Sequence, residues 1–240
     1  MSRSLLAFDT ATEHLSIALT VRGEVVVHEA AGGAQASATL IPAILALLAQ
    51  AGVTLRELDA IAFGRGPGAF TGLRTACSVA QGLAFGASKP VLPIDTLLAV
   101  AEDARGGDLR AQRVWVAMDA RMNEVYAAQY AFADGGWSVL DAPMLTTPDA
   151  LNARWQVQPP ELIAGSALAA FGDRLATQGA RLAPDALPRA RAMLPLAQAL
   201  WEAGGAVDAA LALPLYVRDK VAQTTVERDA ARAAKLEAGR

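Results

Sequence analysis

The chain has 240 residues, 53% of them hydrophobic and 19% charged, with a formal net charge of −3. This composition excludes a disordered chain, and the weak negative charge excludes general attraction to nucleic acid unless a local basic patch or a second protein supplies it. A single cysteine, Cys77, leaves no internal disulfide, so a reducing cytoplasm is expected.

The opening residues lack the apolar core and cleavage site of a signal peptide. Pro, Gln or Asp interrupts each apolar run, so no membrane span is expected. Residues 4–8 (SLLAF) read as a buried strand ending in Asp9, followed by the turn Thr10-Ala11-Thr12. Residues 15–21 are a second strand, Arg22-Gly23-Glu24 a tight turn, and residues 25–29 a third strand, making an antiparallel meander. Helix 39–51, strand 60–63, helix 71–85 and strand 91–93 follow, an alternation that implies parallel strands with helical crossovers. Residues 105–112, charged and glycine-containing, separate an expected first lobe (1–104) from a second (113–213).

The second lobe opens like the first. AMDARMNEVYAAQY (117–130) repeats the plan of AFDTATEHLSIALT (7–20), with Asp119 standing 110 residues after Asp9. Strand 137–140, helix 149–155, strand 162–164 and helices 167–176 and 194–203 follow. A tail at 214–240 has Arg218, Lys220, Arg228, Arg232 and Lys235 among mixed charges, the pattern of a solvated helix. The expected fold is α/β: a duplicated ribonuclease-H-like unit of the actin-like ATPase (ASKHA) kind, two lobes with mixed sheets.

The chemistry such a chain can support is narrow. FGRGPGAFTGLR (63–74) has four glycines but is no Walker A loop, because Leu73-Arg74 follows Gly72 where lysine and a hydroxyl residue belong. The dinucleotide pattern fails as well, with Thr71 at its last position. What remains is a turn and a helix start capped by Thr71 or Gly72, whose free amides could meet an anion or whose glycines could let backbone pass close to backbone. Asp9, Thr10 and Thr12 stand where actin-like ATPases hold phosphate and magnesium, with Asp119 in the matching second turn. Arg121 and Met122 crowd that second turn, so Asp9 and Asp119 read as turn residues of a vestigial nucleotide site. His14 and His28 form no ligand pair, no metal site is expected, and Cys77 reads as a small buried hydrophobe.

Two stretches, 30–55 and 75–88, contain no charge at all, and each carries a helix. Leu40, Ile44, Leu47 and Leu48 make one face of the first, widened by Ile41 and Leu45; Val79 and Leu83 lie on the second, which begins at Thr71. Helices apolar all round are buried all round, either between the lobes of one chain or against another subunit. A partner interface formed by Leu40, Ile44, Leu47, Leu48, Thr71, Val79 and Leu83 is the reading adopted, and charge at Leu47 or Leu83 is expected to abolish it without unfolding the chain.

FDTAT (8–12), AIAFGRGPGAFTGLR (60–74), AQGLAFG (80–86), MDARMNEVY (118–126), MLPLA (193–197) and PLYVRDKVA (214–222) run in an order that resembles the TsaB (YeaZ) family. The resemblance spans nearly the whole chain. It implies a non-catalytic partner of the enzyme TsaD in forming N6-threonylcarbamoyladenosine beside the anticodon of tRNAs reading codons that begin with A. It also implies a TsaE-like ATPase joining the pair and tRNA met only through the complex; the residues themselves lead to no cofactor being expected, and the apolar helices to a homodimer when the chain is alone. TsaD-like relatives bind metal through H-x-x-x-H on the first helix, where this chain has Ala36 and Leu40. The alternative is an actin-like ATPase or kinase acting alone.

Overall fold

The computed structural model describes residues 3–106 and 112–218. β1 (Leu5–Asp9), β2 (His14–Val21) and β3 (Glu24–Ala31) form the expected meander. Arg22 and Gly23, both at positive φ, close its second hairpin with the tight turn that suits twisted strands. α1 (Ala36–Ala51) leads to β4 (Ala60–Gly66), α2 (Phe70–Ala87), β5 (Val91–Asp95) and α3 (Thr96–Arg105). β4 pairs parallel with β1 and β5 with β4, giving the sheet order β3-β2-β1-β4-β5.

The second half repeats this plan. β6 (Arg113–Asp119), β7 (Val125–Ala133) and β8 (Gly136–Thr146) form a meander closed at Asp134-Gly135. α4 (Pro148–Val157), β9 (Leu162–Ala164), α5 (Ala167–Phe171) and β10 (Arg181–Ala183) follow, and the sheet order is β10-β9-β6-β7-β8. β6 to β10 stand in the same order as β1 to β5, so the duplication seen weakly in sequence is a duplication of topology. The fold is α/β, two ribonuclease-H-like lobes.

Several elements depart from the sequence expectations. α1 starts at Ala36, after a 3-10 turn at Gly33–Gln35, and α2 at Phe70 with Ala69 as its N-cap, so neither Thr71 nor Gly72 caps it. The 167–176 helix is one turn followed by a 3-10 turn at Gly172–Arg174. α3 and β10 were unexpected. Gly33–Ala51 is long and apolar enough, by length and composition, to cross a membrane, contrary to the sequence expectation. In the fold its inner stripe packs on the sheet. Most of the expected boundary between lobes (107–111) and of the charged tail (219–240) lies outside the described residues.

The first sheet is covered on both faces, as period-2 strands of continuous apolar sequence require. Leu6 and Phe8 face α1 and α2, while Leu5 and Ala7 face α6 (Ala190–Glu202). The chain therefore returns to its first lobe after Ala190, whose amide donates to Ser16 Oγ at 2.6 Å. Strap-like residues beyond α6 run beside α2: Val207 pairs with Val91, and the Ala212 carbonyl accepts from Cys77 Sγ and Gln81 Nε2. α3 packs on both sheets and on α6. The elements between the lobes are thus α3 and α6, not the two uncharged helices.

Candidate functional site

A cleft of about 710 Å³ opens between the lobes, lined by the β1–β2 turn, the β6–β7 turn, the start of α2 and the 215–218 segment. Thr12 and Asp119 reach it; Asp9 and Thr10 lie buried behind its wall. Asp9 Oδ1 accepts from the Ala11 amide at 2.7 Å and Oδ2 from Thr96 Oγ1 at 2.9 Å, while Thr96 Oγ1 accepts from the Gly66 amide at 3.1 Å. Burial pushes the Asp9 carboxyl up to about 6 against the pull of these two donors. Asp119 repeats half of the arrangement: its Oδ1 accepts from the Arg121 amide at 2.9 Å and its own amide donates to Ser166 Oγ at 3.1 Å. Both aspartates hold turns.

The glycine stretch packs tightly against the Asp9–Ala11 turn. Thr10 Oγ1 donates to the Gly72 carbonyl at 2.8 Å, and the Ala69 amide donates to the Ala11 carbonyl at 2.8 Å. A β-carbon on Gly72 would strike the Thr10 carbonyl, one on Gly64 the Asp9 carboxylate, and one on Gly68 would sit 2.6 Å from Ala11. These glycines exist so that α2 and β4 can press against the Asp9–Ala11 turn. The first turn of α2 lines the cleft with Phe70 and Leu73.

The expected interface residues divide by the helix face they occupy. Leu40, Ile44, Leu47 and Leu48 are at most 4% exposed and form the inward stripe of α1, packed on Phe8, Leu15 and Ile17. They belong to the chain's own core, which corrects the sequence assignment. Four apolar residues at 3.6-residue spacing mark the inner face of any helix laid on a sheet. Val79 and Leu83 are half-buried against the same cluster, and Thr71 is exposed in the first turn of α2. The outward apolar groups are Ile41, Leu45 and Phe85, at 41, 50 and 84% exposure. Ile41 and Leu45 were visible in sequence as the residues widening the stripe; Phe85 had no signal to separate it from its neighbours.

This outer face bears almost no charge. α1 has none and α2 has only Arg74, which lies over the Phe70 ring. Gly82 and Gly86, one turn apart, have nothing within 4 Å of where a side chain would begin, so another backbone can approach α2 closely. Ala36 and Leu40, where the sequence resemblance led metal ligands to be expected in relatives, are buried side chains without ligand atoms.

Comparison with known proteins places these features. The model of the family described as TsaD, tRNA N6-adenosine threonylcarbamoyltransferase, matches residues 22–176. YeaZ from Pseudomonas aeruginosa is 38% identical, with a TM-score of 0.82 over 90% of this chain and 100% of that one. The chain belongs to the TsaB/YeaZ family, within the wider family that the TsaD model describes. The tRNA threonylcarbamoyladenosine biosynthesis protein TsaB of Haemophilus influenzae is 48% identical over 126 residues, 52% of this chain and 53% of that protein. Its counterpart in Escherichia coli K12 is 38% identical over 155 residues, 63% of this chain and 66% of that protein. The matched stretch thus spans about half to two thirds of these curated relatives.

Proposed function

We propose that this chain is a non-catalytic assembly subunit in the formation of threonylcarbamoyladenosine in tRNA, and that it docks a TsaD-like catalytic subunit through the outer face of α1 and α2. The observation that carries this reading is that face: Ile41, Leu45 and Phe85 stand exposed on two helices with a single charge between them. A helix on the surface of a monomer ordinarily turns charged residues to water, and an apolar face of this kind calls for a protein cover. Two helices from each subunit make a four-helix contact, and the open backbone at Gly82 and Gly86 lets them close. The same face pairs two copies of the chain when the partner is absent, and a TsaE-like ATPase joins the completed pair. Contact with tRNA comes through the complex.

The absence of catalysis in this reading is supported by geometry. Asp9 spends its carboxylate on Ala11 and Thr96, the Asp9–Ala11 turn is pressed against α2, and Ala36 and Leu40 offer no ligand atoms to a metal. The test is co-expression with the TsaD-like protein of the same organism, followed by size measurement. The native chain is expected to co-elute with that protein, and Leu45→Glu and Phe85→Glu chains to elute alone. Variants that still co-elute would remove the docking face. Micromolar binding of Mg-ATP to the isolated chain by calorimetry would favour an independent ATPase or kinase instead.

A further inference from the structure

On one side the lobes are joined by buried apolar packing: Leu98 of α3 and Trp137 of β8 each touch both the core under α6 and the core of the second lobe. On the opposite side lies the open cleft, and there the 215–218 segment crosses from lobe to lobe. Its first-lobe end is held by backbone and ring. The Leu215 amide donates to the Arg65 carbonyl at 2.7 Å, and the Leu215 carbonyl lies 2.8 Å from where a β-carbon on Gly66 would stand. The Tyr216 ring is 5.5 Å from Phe70, and its hydroxyl accepts from Arg74 Nε at 3.1 Å. Its second-lobe end is Arg218, whose Nη2 donates to the Ala120 carbonyl at 2.8 Å and whose Nη1 meets Glu124 at 2.6 Å. The Arg218 side chain is only 15% exposed, so these charge-assisted bonds are shielded from water. A second ion pair across the cleft, Arg121 with Glu13 at 3.4 Å, joins side chains 72 and 75% exposed and holds little.

We propose that residues 213–218 are a latch across the cleft, and that through it the opening of the cleft and the seating of α2 move together. The latch grips α2 at its first turns, through Phe70 and Arg74, and the residues just before it touch Cys77 and Gln81. α2 lines the cleft with Phe70 and Leu73 and presents Phe85 at its other end. A continuous α-helix transmits a tilt along its length. Opening the cleft pulls Arg218 away with the second lobe and draws the latch along α2. The latch requires only the cleft; its bearing on partner docking rests on the function proposed above.

Hydrogen exchange on the full-length chain tests it from both ends. Arg218→Ala is expected to speed exchange about tenfold in the 119–126 turn and also in residues 70–77, beyond its own contacts. Tyr216→Ala, cut at the other end, is expected to speed exchange at 119–126. Arg218→Lys, which keeps the charge but not the forked donors, is expected to fall between. If both alanine variants alter only the residues that touch the missing side chain, the latch is refuted. Should Arg218→Ala fail to fold, Tyr216→Ala decides alone, its ring being half-exposed. Leu45→Glu is expected to leave this exchange pattern unchanged while losing the partner, which separates failure of the latch from failure of the docking face.

Discussion

Asp9 ends a strand that the sequence marks as buried, and the fold closes over its carboxylate as well. Here it is 1% exposed and its proton is held to about pH 6. The sign of the consequence is fixed by linkage: the folded state keeps a proton that the unfolded carboxylate releases near pH 3.8. The contribution of protonated Asp9 is therefore complete below that value and is lost as pH rises through about 6. Relative to Asp9→Asn, which keeps an acceptor for the Ala11 amide and carries no titratable proton, the native chain is expected to lose about 3 kcal/mol across that window. Urea unfolding of both proteins at several pH values measures it; parallel stability curves would refute it. Gly72 makes a second case. Gly72→Ala drives a methyl group into the Thr10 carbonyl, and since backbone cannot yield as a side chain does, a loss of about 3 kcal/mol or more is expected in thermal or urea unfolding.

At the scale of elements, α1 carries leucines of the same chemistry with opposite duties. Leu47 is 4% exposed and Leu45 is 50% exposed, two residues apart. Leu47→Glu places an unpaired carboxylate in the core beside Ile44 and Leu48, so the chain is expected to unfold or to bury a protonated acid at a cost of several kcal/mol. Leu47→Ala is expected to cost about 3 kcal/mol. Leu45→Glu and Phe85→Glu face water and are expected to change stability by less than about 1 kcal/mol while abolishing the proposed complex with a TsaD-like subunit. Circular dichroism with co-elution separates the two classes. A Leu45→Glu chain that unfolds would show the outer face to be core.

At the scale of the whole molecule, the two lobes are not independent in sequence. The first sheet needs α6 to cover Leu5, Ala7, Ala18, Ala60 and Leu92 on the face away from α1 and α2. A chain ending at Pro188 leaves that face bare, and it is expected to be insoluble or unfolded although every strand of both sheets is present. A soluble, cooperatively unfolding 1–188 fragment would contradict this. The same return of the chain carries residues 207–218 past α2 to the cleft, where Arg218 meets the Ala120 carbonyl of the second lobe.

Much of this protein is written locally. Apolar runs ended by aspartate, the Arg22-Gly23 turn and the 110-residue echo of the first hairpin determine two meanders leading into α/β units, because strand pairing and tight turns depend on neighbours in the chain. The uncharged stretches predicted helices buried all round, and the fold instead leaves Ile41, Leu45 and Phe85 exposed on their outer face. The stripe Leu40, Ile44, Leu47 and Leu48 was legible from its spacing, but not what covers it. A helix without a polar side carries no local mark of whether its leucine stripe meets the chain's own sheet or another subunit, and only the packing on Phe8, Leu15 and Ile17 decided that. The purpose of Gly64, Gly68 and Gly72 and the return of α6 were decided in the same way, by contacts between residues far apart in sequence, which composition and spacing do not encode.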